Sequence, residues 1–268
     1  MPLRVRLRDV RAFLDGFERR YDLAALSGED RAGLEHWRRH EAPRWTESLN
    51  LVLRGAPRRV LNLGTYYGFL DLYLKDELGL DVLGVDHPEV APRLEPYWRA
   101  NGLQVLLCDL AREALLVEAA SFDAVLACEI VEHVRARPRT VFARAREALK
   151  PGGALVATTP NVARLSNVLH LLEGKNIQLP LRDVPEGSSA HATDHWHHIR
   201  EYTPAELAEE ARAAGFADVE RIMSACWDRP GAAGERSLAR EVLKGLWFPC
   251  TFVFRRWRSC IMLRARNP

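Results

Sequence analysis

No stretch of the 268 residues stays apolar for long enough to cross a bilayer. The most apolar window, 245–254, spans about ten residues, contains Pro249 and runs into Arg255 and Arg256, where a spanning helix needs about 20. Residues 1–20 alternate arginine with apolar side chains and lack the hydrophobic stretch of a secretory signal, so a cytoplasmic protein is expected. Cysteine is scarce and unpaired. The five (Cys108, Cys128, Cys226, Cys250, Cys260) are odd in number, widely spaced and mostly set in apolar runs, which excludes a disulfide framework and a CxxC metal knuckle and fits a reduced compartment. A surplus of either charge is also missing: 38 Lys and Arg stand against 36 Asp and Glu, a net charge of +2, so the chain lacks the field of a general polyanion binder and nucleic acid is not an expected partner. Lysine is confined to Lys75, Lys150, Lys175 and Lys244, and nothing functional follows from that. There is no internal repeat and no low-complexity tract.

What is present is a chain with 47% apolar residues, enough to bury one sizeable core. Residues 8–53 have the spacing of two or three amphipathic helices, with Val10, Phe13, Leu14 and Phe17 on one face and Leu34, Trp37, Leu49, Leu51 and Leu53 continuing it. The period then changes. Short apolar strands at Arg59–Leu63, Asp81–Val85, Gln104–Leu107, Ala124–Cys128 and Ala154–Thr158 alternate with helical stretches, the pattern of a parallel sheet covered on both faces. After Asn161 and up to about Arg200 the rhythm breaks into a helix over Val162–Leu172, a Pro- and Gly-containing loop, and His191, His195, His197 and His198. An excursion of this length inside a compact α/β fold reads as a lid. The rhythm resumes at Thr203-Pro204-Ala205-Glu206, a capped helix start whose helix ends at Gly215, and strands over Val219–Trp227 and Ser259–Arg264 finish the chain, with a helix beginning near Ser237 between them.

The first strand runs into Leu63-Gly64-Thr65-Tyr66-Tyr67-Gly68, a glycine turn at the carboxyl edge of the sheet, where open α/β sheets bind ligands. The second strand ends in Asp86, placed to accept hydrogen bonds from ribose hydroxyls. A nicotinamide-binding turn has GxGxxG spacing, which Gly64, Tyr66 and Tyr67 do not supply, so a dehydrogenase is disfavoured. Phe122-Asp123-Ala124-Val125, Glu129-Ile130-Val131-Glu132-His133-Val134 and Leu149-Lys150-Pro151-Gly152-Gly153 follow in order. On these motifs residues 57–228 resemble the class I S-adenosylmethionine-dependent methyltransferases, and Thr159-Pro160-Asn161 with Arg200-Glu201-Tyr202-Thr203 resemble the members that modify glycans, lipids and quinones.

The resemblance implies a Rossmann-like, doubly wound α/β fold with a seven-stranded sheet, mostly parallel with its last strand antiparallel. One domain is expected: a helical lead-in over 1–55, a cofactor-binding core over 56–161, a substrate lid over 162–200, and a remainder over 201–268 with an amphipathic insertion. It implies S-adenosylmethionine as cofactor, with Gly64 and Gly68 against its methionine part, Asp86 on the ribose, and Asp109 with Leu110 beside the adenine; Asn62, Tyr66 and Glu129 belong to the same site. Two positions depart from the family. Asn62 stands where an acid is usual, and Tyr66 replaces a glycine that lets backbone and cofactor approach.

Methyl transfer to oxygen is an in-line displacement, so the protein must align the acceptor and help remove its proton. Glu129, Glu132 and His133 fall at i, i+3 and i+4 and share one face if the turn after the fourth strand is helical, a set suited to Mg²⁺ or Mn²⁺. Methyltransferases of small-RNA ribose carry a similar ExxEH cluster with a later histidine, at the position of His198, and ubiquinone-type O-methyltransferases share the cluster. The alternative is that these residues serve packing and the cofactor loop, with His133 acting as general base. Trp196 either stacks on the acceptor or anchors the lid. Residues 238–258 mix Leu243, Leu246, Trp247, Phe248, Phe252 and Phe254 with Arg240, Lys244, Arg255, Arg256 and Arg258, and read either as a helix packed on its own domain or as a peripheral contact with an anionic membrane. The expected activity is O-methylation of a small-molecule or glycan hydroxyl, on a sugar, glycan or glycosylated natural product. The alternatives are a quinone-type phenol, RNA ribose, or a non-catalytic scaffold in which Asn62 and Tyr66 have disabled the cofactor site.

Overall fold

The computed structural model describes residues 4–178, 198–228 and 238–268, with backbone alone for 238–241, 243 and 244. The chain opens with helices α1 (Leu7–Asp15), α2 (Phe17–Arg20), α3 (Gly28–His40) and α4 (Ala42–Leu53). Val10, Phe13 and Leu14 recur at helical spacing and are the buried residues of α1. Gly16 separates α1 from α2, and Ser27 caps α3 by accepting a hydrogen bond from the Asp30 amide. Trp45, Leu49, Val52 and Leu53 bury most of α4.

The strands β1 (Arg59–Leu63), β2 (Asp81–Asp86), β3 (Val105–Leu107), β4 (Phe122–Cys128), β5 (Leu149–Pro160), β6 (Ala217–Ser224) and β7 (Cys260–Arg266) form one sheet in the order β3-β2-β1-β4-β5-β7-β6. β1 pairs in parallel with β2 and β4, with Leu61 opposite Leu83 on one side and Val125 on the other. β7 runs antiparallel between β5 and β6. β1 and β4 are buried on both faces, which is why they read as continuous apolar runs without alternation. One core face joins the N-terminal helices to α5 (Phe69–Leu72) and α6 (Ala91–Ala100), and the other holds α7 (Pro138–Ala148) and α9 (Pro204–Ala213). The order reverses between β1 and β4, so the crevice at their carboxyl ends is the ligand-binding position of the fold.

Several expected boundaries move. The helix expected from Val162 begins at Leu165 (α8, Leu165–Leu172), because the preceding backbone is committed elsewhere: Asn161 N donates to Ser259 O at 2.9 Å and Val162 N to Tyr202 O at 3.0 Å. The strand expected over Val219–Trp227 is β6, which stops at Ser224, whose hydroxyl accepts from the Cys226 amide and turns the chain. α9 ends at Ala213, ahead of Gly215, which takes a positive φ of 91°. The helix expected near Ser237 is α10 (Leu238–Val253). No helix among the described residues is long and apolar enough to cross a membrane. His191, His195, Trp196 and His197 lie outside the described residues.

Candidate active site

Gly64 leaves β1 with φ 84° and donates its amide to Val85 O at 2.8 Å. A Cβ here would lie 2.0 Å from Ile130 Cδ1, so the turn after β1 and the turn after β4 touch through this glycine. Asp86, at the end of β2, accepts from the Tyr66 amide at 2.6 Å and from the His87 amide at 2.8 Å. Both carboxylate oxygens are therefore fixed in direction. Asp109 follows β3 and is held by the Ala111 amide at 2.8 Å, with Leu110 buried beside it. Asn62, Gly64, Tyr66, Asp86, Asp109, Leu110 and Glu129 line one cavity of about 950 Å³. Gly68 does not line it; it caps α5 with φ 67°, where a Cβ would meet Leu103 Cδ1 at 2.5 Å.

The cavity continues past the end of β4 to His133, His198, Arg44, Trp37, Trp45 and Trp227. The expectation of a helical turn carrying Glu129, Glu132 and His133 on one face is corrected: the segment is a turn, and Glu129 sits at φ 56°. Glu129 accepts from Thr158 Oγ1 at 2.8 Å, and Arg44 Nη1 reaches the same hydroxyl at 3.4 Å. Arg44 is buried, paired with Glu41 at 2.6 Å, and lies 5.8 Å from the Trp227 ring centre. Glu132 is fully buried; Thr159 Oγ1 donates to its Oε2 at 2.9 Å, while Oε1 has no hydrogen-bond donor and lies 4.0 Å from His133 Nε2. Burial, and then the charge of Glu129, push the Glu132 carboxyl well above the usual range; burial also raises Glu129, against the pull of Arg44.

His198 arrives from the far end of the excursion. Its Nδ1 lies 2.9 Å from Glu201 Oε1, the neighbouring Ile199 amide donates to Glu132 O at 2.7 Å, and its ring centre is 5.0 Å from that of His133. Burial alone would raise Glu201, but hydrogen bonds from His198 and Arg164 outweigh it and hold the carboxyl at about 2. Glu132, His133 and His198 each offer one ligand atom within 4.8 Å of the others, and Glu129 stays outside that trio. One carboxylate and two imidazoles form a mixed nitrogen–oxygen set that fits Mg²⁺ poorly and a first-row transition-metal ion better, with Mn²⁺ the weakest binder of that series.

The chain matches the methyltransferase-domain family over residues 34–221, which is more than half its length. It belongs to the class I S-adenosylmethionine-dependent methyltransferases. A ubiquinone biosynthesis O-methyltransferase of Roseobacter denitrificans is 33% identical over 164 residues, 61% of each chain, and one of Xanthomonas axonopodis pv. citri is 31% identical over 186 residues, 68% of this chain and 72% of the relative. The chain thus spans about three fifths of the first of these relatives. Among solved structures, an S-adenosylmethionine-dependent methyltransferase from Archaeoglobus fulgidus shares the fold with TM-score 0.54 at 18% identity, covering 83% of this chain and 91% of that one. A Haemonchus contortus phosphoethanolamine N-methyltransferase in complex with S-adenosylmethionine has TM-score 0.54 at 19% identity, covering 97% and 60%.

The methyltransferase cofactor fits the two departures noted in the sequence. Asn62 donates Nδ2 to Asp71 Oδ2 at 2.7 Å, which leaves Asn62 Oδ1 buried without a hydrogen-bond partner at the cavity wall. An acid thus lies one layer behind position 62, and the buried amide oxygen of Asn62 is an acceptor without a donor. Tyr66, at φ 44°, packs its ring against Trp37 at 5.3 Å between centres, receives Arg93 Nη2 on its hydroxyl at 3.3 Å, and accepts Trp98 Nε1 on its carbonyl at 2.7 Å. These ties fasten the cofactor turn to α3 and α6 and hold a left-handed backbone that costs about 1 kcal/mol for a bulky residue. Arg44, Thr158, Thr159, Asp71, Trp37 and Trp227 are the site residues that sequence reasoning missed. The polar Thr158-Thr159 pair closing an apolar strand, and the lone acid in Phe69-Leu70-Asp71-Leu72, were readable signals. Arg44, embedded in a helix, gave none.

Proposed function

We propose that the chain transfers a methyl group from S-adenosylmethionine to a phenolic hydroxyl of a quinone-type aromatic acceptor. The observation that carries this reading is one continuous cavity that Asn62, Asp86 and Asp109 share with Glu129, His133 and His198, and that Trp37, Trp45 and Trp227 also line. Flat aromatic walls favour a planar ring over the sugar acceptor that leads the sequence reading. The ubiquinone O-methyltransferase relatives support the same choice.

At the cofactor end, Asp86 binds the ribose diol, Asp109 and Leu110 flank the adenine, and Asn62 Oδ1 with Gly64 receives the methionine part. The sulfonium so held supplies an electrophilic methyl group. At the acceptor end, Glu132, His133 and His198 form a cation site, and Thr159 and Glu201 orient Glu132 and His198 within it. A divalent cation in that site would lower the pKa of a catechol hydroxyl. Without a cation, His133 is the side chain placed to take the acceptor proton, since imidazole titrates near neutrality.

Calorimetry with S-adenosylmethionine should detect binding, and Asp86→Ala should weaken it about ten-fold or more by removing a charged hydrogen-bond acceptor. Labelled cofactor with a substituted catechol should yield a methyl ether. Label only on nitrogen, or no cofactor binding at millimolar concentration, defeats the reading. Chelation should abolish turnover with cofactor affinity unchanged, Mn²⁺ should restore it, and Glu132→Ala should match His198→Ala. Full turnover in excess chelator removes the cation site and leaves His133 as the base.

A further inference from the structure

Helix α10 carries apolar residues on the side that faces away from its own sheet. At 100° per residue, Val242, Leu246, Pro249, Phe252 and Val253 fall within a stripe about 120° wide. That stripe is exposed: Leu246 retains 66%, and Phe252 and Val253 each 69%, of their accessible surface, whereas Thr251 on the opposite face is buried. A helix packed on its own domain would show the reverse. Phe254 extends the stripe beyond the helix and leads into Arg255 and Arg256, both exposed and without a carboxylate partner among the described residues. Arg256 lies over the Phe254 and Trp257 rings at 6.0 and 5.3 Å, which holds the aromatic and cationic side chains together.

The position of this patch is fixed by the fold. Arg258 turns inward and donates to Thr251 O and Met223 O, and β7 begins at Cys260, opposite Pro160 at the carboxyl end of β5. Asn161, immediately before the excursion, donates its side-chain amide to the carbonyls of Arg256 at 2.9 Å and Arg258 at 2.8 Å. The tip of α10 therefore stands at the same sheet edge as the cavity mouth. Leu171 and Leu172, at the end of α8 on the excursion, are exposed as well.

We propose that Leu246, Phe252, Val253, Phe254, Arg255 and Arg256 seat this edge of the molecule on an anionic lipid surface, with the apolar side chains in the acyl boundary and the guanidinium groups on the headgroup phosphates. Exposed aromatic and aliphatic side chains beside arginines that have no carboxylate partner among the described residues match both halves of such an interface, apolar below and anionic above. The proposal rests on exposure and charge, independently of the acceptor.

Cosedimentation of the full chain with vesicles of phosphatidylcholine, with and without phosphatidylglycerol, tests it. Binding to the phosphatidylglycerol vesicles alone, weakening as salt rises, is the expected result. Arg255→Glu with Arg256→Glu should cut partitioning about thirty-fold or more, the joint effect of two basic residues near the surface. Arg255→Lys with Arg256→Lys should keep it. Phe252→Ser with Phe254→Ser should lose binding while circular dichroism and cofactor affinity stay unchanged. Equal partitioning onto neutral vesicles, no binding to either, or light scattering that shows a concentration-dependent dimer abolished by the serine pair would overturn the proposal, the last by assigning the face to a second copy of the chain.

Discussion

Asp71 is a fully buried acid behind Asn62. Burial pushes its carboxyl from 3.8 up to about 7, and the hydrogen bond from Asn62 only partly offsets this. The folded pKa lies above the unfolded one, so between about pH 4 and 7 the folded chain holds a proton that the unfolded chain has lost. Stability from this group is full below the unfolded value and declines as pH rises through that window. Asp71→Asn keeps an oxygen for Asn62 and removes the titration. Chemical denaturation should find the variant close to wild type near pH 4 and more stable at pH 8 by on the order of 2–4 kcal/mol. A pH-independent difference would show that Asp71 is not the buried acid described. The same variant should bind S-adenosylmethionine more weakly, since the ammonium group loses the charge behind Asn62. Asn62 was readable as a departure at its position in the sequence. Its compensation was not, because the bond to Asp71 depends on how β1 and α5 face each other.

The elements legible in the sequence are those whose signal is local. Continuous apolar runs marked β1, β4 and β5, and the Thr203-to-Glu206 capping box marked the start of α9. The turn over 129–134 was misleading, since i, i+3, i+4 spacing carries no record of a positive φ at Glu129. Contacts between elements were also silent. Glu210 on α9 accepts from the Arg139 guanidinium and amide and pairs with Arg137 at the start of α7, joining two helices that cover the same face of the sheet. The hydrogen bond from Arg139, with Arg137 adding to it, holds the carboxyl down to about 2 despite partial burial. A depressed acid stabilises above its unfolded pKa of about 4.5, and the contribution is lost as pH falls towards 2. Because Arg137 is exposed and Arg139 partly so, solvent discounts the gain. Glu210→Ala should cost about 1–2 kcal/mol at pH 7, seen as a fall of roughly 2–8 °C in melting temperature, and about a quarter of that near pH 2.5. An equal loss at both pH values would assign the effect to packing.

At the scale of the whole molecule the N-terminal helices do more than lead in. Trp45, Leu49 and Val52 of α4 share one core cluster with Ala124 and Leu126 of β4, Val156 of β5 and Met262 of β7. The same helices supply Trp37, Glu41 and Arg44 to the cavity, and Arg44 meets Thr158 across 114 positions of sequence. Amphipathic spacing announced that residues 8–53 would pack on something, but apolar faces on helix and sheet are generic and do not name their partners. A lead-in that completes both core and site cannot be detached. Expressing 56–268 alone should expose the apolar face of β1, β4 and β5, bind a hydrophobic dye, unfold without a sharp transition and show no affinity for S-adenosylmethionine. A truncated chain that melts cooperatively and keeps the cofactor would make 1–55 a separate module. That outcome is hard to reconcile with the fold, because Tyr66 of the turn after β1 rests on Trp37 of α3, Arg93 of α6 pairs with Asp30 of α3, and the cavity takes Trp37, Trp45 and Arg44 from the same helices.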